Sequence, residues 1–288
     1  MTEPVPSLLV STQWLAEHLA DPALRLFDAT AGAAHAPGAA QAEPARAVFE
    51  KAHIPGARYL DLKNDLSDTS AALDFTRLPP EAAAAAFAGA GIGPDALVVV
   101  YSTSTYGWAT RVWWLLNDLG FSRVAVLDGG LVKWIKEGRP TANGAQPPYP
   151  PAPAFEPVAQ RLFADLPEVA AAVEGGGAKL VNALSPDQIS GAVAGPHGRS
   201  GRIPGSISLP AGSLVTAADN SLKPLEVLKA EFAAKGISSE TDVIAYCGSG
   251  IAAPLDGFVL KALGHDRVRV YDGSLSEWSK DPQRPLEA

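Results

Sequence analysis

The chain repeats itself once, and this internal repeat constrains its fold more than any other feature of the sequence. The motif Ile54–Gly56 returns as Ile203–Gly205, and the apolar run Val98–Tyr101 returns as Val243–Tyr246. The other shared landmarks are Leu119-Gly120 and Leu263-Gly264, Asp128-Gly129-Gly130 with Trp134 and Asp272-Gly273-Ser274 with Trp278, and Arg139-Pro140 and Arg284-Pro285. The 288 residues are therefore expected to fold as two copies of one domain.

The periodicity within each copy predicts an α/β fold, with a mostly parallel sheet flanked by helices. We expect a first domain over residues 1–140, a proline-rich and semi-rigid linker over 141–157, and a second domain over 158–288. The predicted strands are Leu24–Asp28, Leu97–Tyr101 and Arg123–Leu127, then Lys179–Ala183, Asp242–Tyr246 and Arg267–Tyr271. The predicted helices are Thr12–Leu19, Pro80–Ala88, Gly107–Leu119 and Leu131–Glu137, then Asp165–Val173, Leu225–Ala234, Ala252–Leu263 and Leu275–Trp278.

Composition excludes several classes of function. Lys and Arg number 23 against 31 Asp and Glu, so a net charge of −8 offers no basic surface for a nucleic acid partner. No apolar run reaches the about 18–20 residues of a membrane span, and the first residues lack the features of a signal peptide, so we expect a cytoplasmic protein with no membrane partner. One cysteine and five histidines without metal-ligand spacing lead us to expect no metal and no cofactor.

The single cysteine, Cys247, stands between a predicted strand and a predicted helix. Sites in open α/β sheets lie beyond the carboxyl ends of the strands, and a helix N-terminus favours an anion there. Gly248 and Gly250 allow backbone conformations closed to other residues, so their amides can turn towards the sulfur and favour thiolate over thiol. We therefore expect Cys247 to be a nucleophile.

The first copy serves as an internal control for this prediction. Its residue equivalent to Cys247 is Ser102, and the following loop has no glycine before Gly107. A cysteine phosphatase is excluded as an alternative, because the arginine that such an enzyme needs six residues after its cysteine is Ala253 here. Chemistry is thus expected in the second copy alone.

The tandem copies, the two Ile-Pro-Gly motifs and the run Cys247-Gly248-Ser249-Gly250-Ile251 resemble the two-domain sulfurtransferases of the rhodanese family. The resemblance implies two tandem rhodanese-like domains, of which the first is silent. It also implies that Cys247 takes up a sulfane sulfur as a persulfide and passes it to cyanide or a thiol, with a thioredoxin-like protein among the acceptors. Members with a Cys-Gly-Ser-Gly loop typically prefer 3-mercaptopyruvate, and those with a Cys-Arg-Lys-Gly loop prefer thiosulfate.

The resemblance further implies roles for named residues. Gly248, Ser249, Gly250, Ile251 and Ala252 would form the catalytic loop with Cys247, and the Ser249 hydroxyl would lie near the donor's carbonyl. His53 would approach Ser249 from the first copy, unless it is hydrogen-bonded within its own turn.

The segment before the second Ile-Pro-Gly motif departs from the family pattern. The two arginines that hold the donor's carboxylate in mercaptopyruvate-preferring members align with Gln188 and His197, and neither is a permanent bidentate cation. Arg199 and Arg202 are close in sequence, so the candidate substrate-binding residues are Arg199, Arg202, His197 and Gln188, although the two arginines could also be solvated loop charges.

Two classes of function follow. The first is an enzyme that moves sulfur from a small-molecule donor, 3-mercaptopyruvate or alternatively thiosulfate, to a thiol or cyanide acceptor. The second is a non-catalytic sulfur-carrier module in which Cys247 receives sulfur from a protein. The intact cysteine loop favours the enzyme, whereas the altered segment 182–202 favours the carrier.

Overall fold

The computed structural model describes residues 7–35, 41–193 and 198–287, which divide into two compact units. Unit 1 comprises the described residues of 1–69, 77–160 and 217–221, and unit 2 those of 70–76, 161–216 and 222–288. The two short exchanged segments are bounded by isolated β-bridges, Ser67 with Arg77 and Val215 with Leu222. Residues 141–157, predicted as a linker, cluster with unit 1.

Unit 1 is built around a parallel sheet with the strand order β1-β7-β6-β2-β5, and β3 and β4 form a separate antiparallel pair. Its strands are β1 (Leu9–Val10), β2 (Leu24–Asp28), β3 (Ala33–His35), β4 (Ala42–Pro44), β5 (Arg58–Tyr59), β6 (Leu97–Tyr101) and β7 (Val124–Leu127). Its helices are α1 (Thr12–His18), α2 (Ala45–Lys51), α3 (Pro80–Gly89), α4 (Tyr106–Asp118) and α5 (Gly130–Lys136).

Unit 2 repeats this sheet with the strand order β8-β12-β11-β9-β10, again parallel throughout. Its strands are β8 (Phe163–Ala164), β9 (Lys179–Asn182), β10 (Ile207–Ser208), β11 (Val243–Tyr246) and β12 (Val268–Tyr271). Its helices are α6 (Leu166–Val173), α7 (Pro186–Ser190), the 3₁₀ turn Ala211–Leu214, α8 (Leu225–Ala234), α9 (Ala253–Ala262) and α10 (Ser274–Trp278). The predicted fold class, two α/β copies with parallel sheets flanked by helices, is confirmed.

The repeated Ile-Pro-Gly motif is fastened to the central strand of each sheet by a tyrosine. In unit 1 the backbone N–H of Ile54 donates to the hydroxyl of Tyr101 at 3.2 Å. In unit 2 the N–H of Ile203 donates to the hydroxyl of Tyr246 at 2.8 Å. Both tyrosines are fully buried, so this bond satisfies a polar group that would otherwise be costly in the core.

The repeated tryptophan fastens the segment that follows the last helix of each copy. The indole N–H of Trp134 donates to the carbonyl of Pro140 at 2.7 Å, and that of Trp278 donates to Pro285 at 3.0 Å. In each copy the arginine before this proline lies over the same ring, at 5.3 Å in the first and 5.0 Å in the second. The Arg-Pro repeat is thereby explained, because both of its residues contact the repeated tryptophan in the same way in each copy.

Candidate active site

Cys247 directly follows β11, the middle strand of the unit 2 sheet, and it is only 2% exposed. Strands β9 and β12 flank β11 on either side, so the backbone before the thiol is held by ladders in both directions. The carbonyl of Cys247 accepts the N–H of Leu275 at 3.0 Å. These rigid elements therefore place the thiol at the carboxyl edge of a parallel sheet. Active sites of α/β folds lie at this edge.

Ser274 contacts Cys247 twice, and sequence reasoning missed it. Its Oγ accepts the Cys247 N–H at 3.1 Å and lies 3.9 Å from the Cys247 sulfur, towards which it can donate. Ser274 is fully buried and has a φ of +49°, a region that favours glycine, and its first-copy equivalent is Gly130 with a φ of +54°. The internal repeat does contain a signal for this role of Ser274, because a serine replaces the glycine only in the copy that has the cysteine.

Helix α10 holds the loop after Cys247 in place through hydrogen bonds. Ser276 donates both its backbone N–H and its hydroxyl to the carbonyl of Gly248, each at 2.8 Å. Of the two loop glycines, Gly250 adopts a positive φ of 75° whereas Gly248 does not. Helix α9 then starts at Ala253 with no side chain of the described residues capping its N-terminus, so its positive end is left towards the loop.

The equivalent loop of unit 1 is filled by hydrogen bonds between its own side chains. Ser102 donates to the carbonyl of Thr105 at 2.5 Å. The buried carboxylate of Asp28 accepts the hydroxyls of Thr30, at 2.5 Å, and Thr103, at 3.0 Å. Burial raises the pKa of Asp28, and these threonine bonds oppose the shift. Because of this network, unit 1 has a packed and internally hydrogen-bonded loop at the position where unit 2 has its cysteine.

A cavity of about 560 Å³ lies within unit 2 beside the cysteine loop. Ser249 from that loop forms part of the wall, together with the hydroxyls of Ser276 and Ser279. The apolar part of the wall comes from residues 71–73 and Phe75, in the segment of the N-terminal half that clusters with unit 2. Cys247 itself is buried and is not among the lining residues, whereas Ser249, two residues later in the same loop, is.

Three charged side chains also line this cavity: Arg199, Lys280 and Asp74. One terminal nitrogen of Arg199 donates to the carbonyls of Asp281 and Arg284, both at 3.1 Å, and this fixes the guanidinium against the wall. Arg199 was a candidate from sequence, whereas Lys280 and Asp74 were not. The sequence places these three residues far apart, so only the fold brings them together.

The other predicted substrate-binding residues are placed differently. Arg202 pairs with Glu287 at 3.3 Å and donates to the carbonyl of Ser206 at 2.7 Å, and it is not part of the cavity wall. The backbone and side chain of Gln188 form the capping box of α7 with Ser185. His197 lies outside the described residues.

His53 is fully buried in unit 1. Its Nδ1 is 2.8 Å from the carbonyl of Phe49, and its ring stacks on the Phe49 ring with centroids 4.1 Å apart. Its Nε2 is buried without a hydrogen-bond partner among the described residues. The contact with Phe49 is a hydrogen bond within the turn of His53 itself, which is the alternative to an approach to Ser249.

Asp256 is a further buried ionisable group near the site, in the first turn of α9. Neither of its carboxyl oxygens has a hydrogen-bond partner in another described residue. Burial raises the pKa of Asp256 well above its ordinary value. Burial thus favours the protonated, uncharged form of this carboxyl.

Both halves of the chain match the family model of the rhodanese-like domain, over residues 11–137 and 165–281. The chain belongs to the rhodanese family. This rhodanese is 32% identical over 282 residues to the 3-mercaptopyruvate sulfurtransferase of Escherichia coli (strain K12), covering 96% of this chain and 97% of the relative. It is 33% identical over 281 residues to the thiosulfate sulfurtransferase of Rattus norvegicus, covering 94% and 91%.

Among solved structures, this rhodanese matches SseA from Escherichia coli, described as a 3-mercaptopyruvate sulfotransferase. The TM-score is 0.80 at 29% identity, and the match covers 93% of this chain and 98% of that chain. The protein is thus an enzyme, a sulfurtransferase of the 3-mercaptopyruvate or thiosulfate type with two rhodanese domains.

None of the helices in the described part of the chain is both long and apolar enough to cross a membrane. The described residues also contain no group of three or more His, Cys, Asp or Glu side chains placed to hold a metal ion.

Proposed function

We propose that this protein moves a sulfane sulfur from 3-mercaptopyruvate, through a persulfide on Cys247, to cyanide or a thiol. The observation that carries the proposal is that the chain's single thiol directly follows the middle strand of unit 2 and contacts Ser274, while Ser249 of the same loop lines a cavity together with Arg199. A nucleophile, a hydroxyl donor and a cation are the three groups that an anionic keto-acid donor requires. A relative with this activity covers nearly the whole chain.

In the first step the Cys247 thiolate attacks the sulfur of 3-mercaptopyruvate. A sulfur–sulfur bond forms and the carbon–sulfur bond breaks, and its electron pair passes to the carbon as the enolate of pyruvate. The Ser249 hydroxyl donates to the developing enolate oxygen, and the Arg199 guanidinium holds the carboxylate. A proton taken from solvent at the carbon completes pyruvate, and Cys247 is left as a persulfide.

In the second step the acceptor's thiolate, or cyanide, attacks the outer sulfur of the persulfide. The sulfur–sulfur bond breaks and its electrons return to Cys247 as thiolate, which regenerates the enzyme. The burial of Cys247 supports this scheme, because a persulfide shielded from water survives until the acceptor arrives. A thioredoxin-like protein is the macromolecular acceptor that we propose.

Thiosulfate is the second candidate donor, and one observation favours it. The cavity holds two cations, Arg199 and Lys280, where a monoanionic carboxylate needs one. A dianion gains more from two cations than a monoanion does. The cysteine loop itself has no cation, so any preference for thiosulfate has to come from these two residues.

The test is to incubate the protein with each donor in turn and to record its intact mass before and after cyanide. We expect a gain of one sulfur atom that cyanide removes and that Cys247→Ser abolishes. Turnover with 3-mercaptopyruvate and thiosulfate, measured side by side, then ranks the donors. A mass gain that survives Cys247→Ser contradicts the proposal, and loading only from another protein's persulfide assigns the chain to the carrier class.

A further inference from the structure

Lys280 lines the same cavity as Ser249 of the cysteine loop. Helix α10 begins at Ser274, the residue that contacts the sulfur, and Lys280 follows two residues after its end. At about 1.5 Å per helical residue, the six positions between Ser274 and Lys280 span only about 9 Å. The lysine therefore lies just past the C-terminus of the short helix whose first residue contacts the thiol.

The ammonium of Lys280 is not committed to an ion pair within the described chain. Its hydrogen bond is a long one, 3.4 Å to the backbone carbonyl of Ala72 in the opposite wall of the cavity. Arg199 likewise donates to two backbone carbonyls rather than to a carboxylate. Both positive charges thus remain uncompensated by an ion-pair partner in the part of the chain that the structure describes.

The charges of the cavity wall sum to a positive value. Arg199 and Lys280 contribute two positive charges, and Asp74 contributes one negative charge. Hydroxyls of Ser249 and Ser279 add neutral donors to the same wall. A wall with this net charge attracts an anion, and it discriminates by the anion's charge because each added cation contributes a further Coulomb interaction.

We propose that Lys280 is the second cation of the donor site and determines how well this enzyme uses a dianionic donor, thiosulfate, relative to the monoanionic 3-mercaptopyruvate. This inference rests on the proposed function, in which Arg199 holds one anionic group of the donor. Lys280, just after α10, supplies the cation that the Cys-Gly-Ser-Gly loop lacks.

The first test compares donors in Lys280→Gln and in the matched control Lys229→Gln, which changes an exposed lysine on α8 outside the cavity. In Lys280→Gln we expect the KM for thiosulfate to rise about tenfold and the KM for 3-mercaptopyruvate to rise less than about threefold, with kcat nearly unchanged. Lys280→Arg should restore most of the thiosulfate KM, and Lys229→Gln should match the parent. An equal rise for both donors overturns the selectivity.

The second test does not depend on turnover. Cys247 is alkylated with iodoacetate, an anion, and with iodoacetamide, its neutral counterpart, and the ratio of the two rates is compared between variants. Lys280→Gln should lower this ratio several-fold at low ionic strength, and added salt should reduce the difference between variant and parent. A ratio equal to the parent's overturns the role of Lys280 even when turnover is intact.

Together the two tests distinguish a failure of the Lys280 proposal from a failure of the proposed function. A lowered alkylation ratio in a protein that turns over neither donor supports the anion site at Lys280 and contradicts the proposed function. Normal turnover of both donors with unchanged KM values and an unchanged ratio contradicts Lys280 and leaves the proposed function standing.

Discussion

The hydroxyl of Ser274 lies 3.9 Å from the sulfur of Cys247 and also 2.9 Å from the carbonyl of Tyr271. One hydroxyl proton cannot serve both acceptors, and a charged acceptor forms the stronger bond. When Cys247 is a thiolate or an ionised persulfide, the proton is therefore drawn towards the sulfur. A buried serine held at a φ of +49° carries backbone strain that its contact with the sulfur explains.

The first prediction concerns this hydroxyl. Ser274→Gly removes it and introduces the residue that best accepts a positive φ, so the variant should fold at least as well as the parent. Loss of a bond to a charged sulfur should slow alkylation of Cys247 by iodoacetamide about three- to tenfold at neutral pH. The measurement is the alkylation rate by intact mass, with unfolding in urea as the check on folding.

Ser276→Ala is the matched control for this variant, because it removes a hydroxyl that bonds to Gly248 rather than to the sulfur. It should change alkylation less than Ser274→Gly does. If Ser274→Gly is alkylated as fast as the parent, the 3.9 Å contact has no effect on the thiol.

The second prediction concerns the division of labour between the copies. The double variant Ser102→Cys, Cys247→Ser places a thiol at the equivalent strand end of unit 1. That loop is filled by the hydrogen bonds of Asp28 with Thr30 and Thr103, so the new thiol should not support turnover. Sulfur transfer by this variant at a rate near the parent's would show that the loop chemistry of unit 2 is not required.

The central strands and main helices were predictable from sequence because each is a run of buried residues with a clear period. The strands at Leu24–Asp28 and Leu97–Tyr101 have the predicted bounds, and the main helices end within one or two residues of their predicted ends. The outer strands of both sheets were missed. They contain two residues each, too few for any period to show.

The candidate site was predictable only in part, and the reason is topological. Cys247 and its loop are contiguous in sequence and stand beside a strand that the pattern identifies. Ser274 and Lys280 lie about thirty residues after Cys247 and Asp74 lies in the N-terminal half of the chain, so their proximity to the loop depends on the sheet order and on the grouping of residues 70–76 with unit 2. Arg199 was selected by its position in the sequence alone, and its place in the cavity wall required the fold.

The third prediction separates the two candidate arginines. Arg199→Ala removes one of the two cations of the cavity wall and should raise the KM for an anionic donor about tenfold or more, because charge-assisted bonds to carboxylates contribute about 1.5–3 kcal/mol. Arg202→Ala removes an ion pair with Glu287 and should lower the free energy of unfolding slightly while leaving the KM near the parent's. Steady-state kinetics and urea unfolding of both variants provide the measurements.

His197 offers a competing outcome for the donor's carboxylate. An unperturbed histidine is charged only below about pH 6.5, so a histidine partner would strengthen donor binding as the pH falls. The KM is therefore measured from about pH 5.5 to about pH 8 in Arg199→Ala and His197→Ala. A pH dependence that disappears in His197→Ala, with no effect of Arg199→Ala, transfers the role to the histidine.

The last prediction concerns Asp256, whose buried carboxyl has no partner in another described residue. Because burial raises its pKa in the folded protein above the unfolded value, the folded state holds this proton more tightly than the unfolded state does. Below the unfolded pKa, near 3.8, the bound proton makes its full contribution to the free energy of unfolding. That contribution is lost as the pH rises from there towards the pKa of the folded state. The free energy of unfolding of the parent should therefore contain a component that falls with rising pH.

Asp256→Asn keeps the shape of the side chain and cannot ionise, so this component should vanish in the variant. We expect the variant to gain stability relative to the parent as the pH rises from about 4 towards neutrality, because only the parent loses stability when its buried carboxyl has to give up a proton. Urea unfolding at a series of pH values measures the difference between the two proteins, which also cancels the contribution of Asp28, the other buried carboxyl with a raised pKa. Asp95→Asn, at an exposed position, should leave the pH dependence of the parent unchanged. Parallel curves for Asp256→Asn and the parent would show that the carboxyl of Asp256 has the same proton affinity folded and unfolded, and hence that it finds a partner or water in solution.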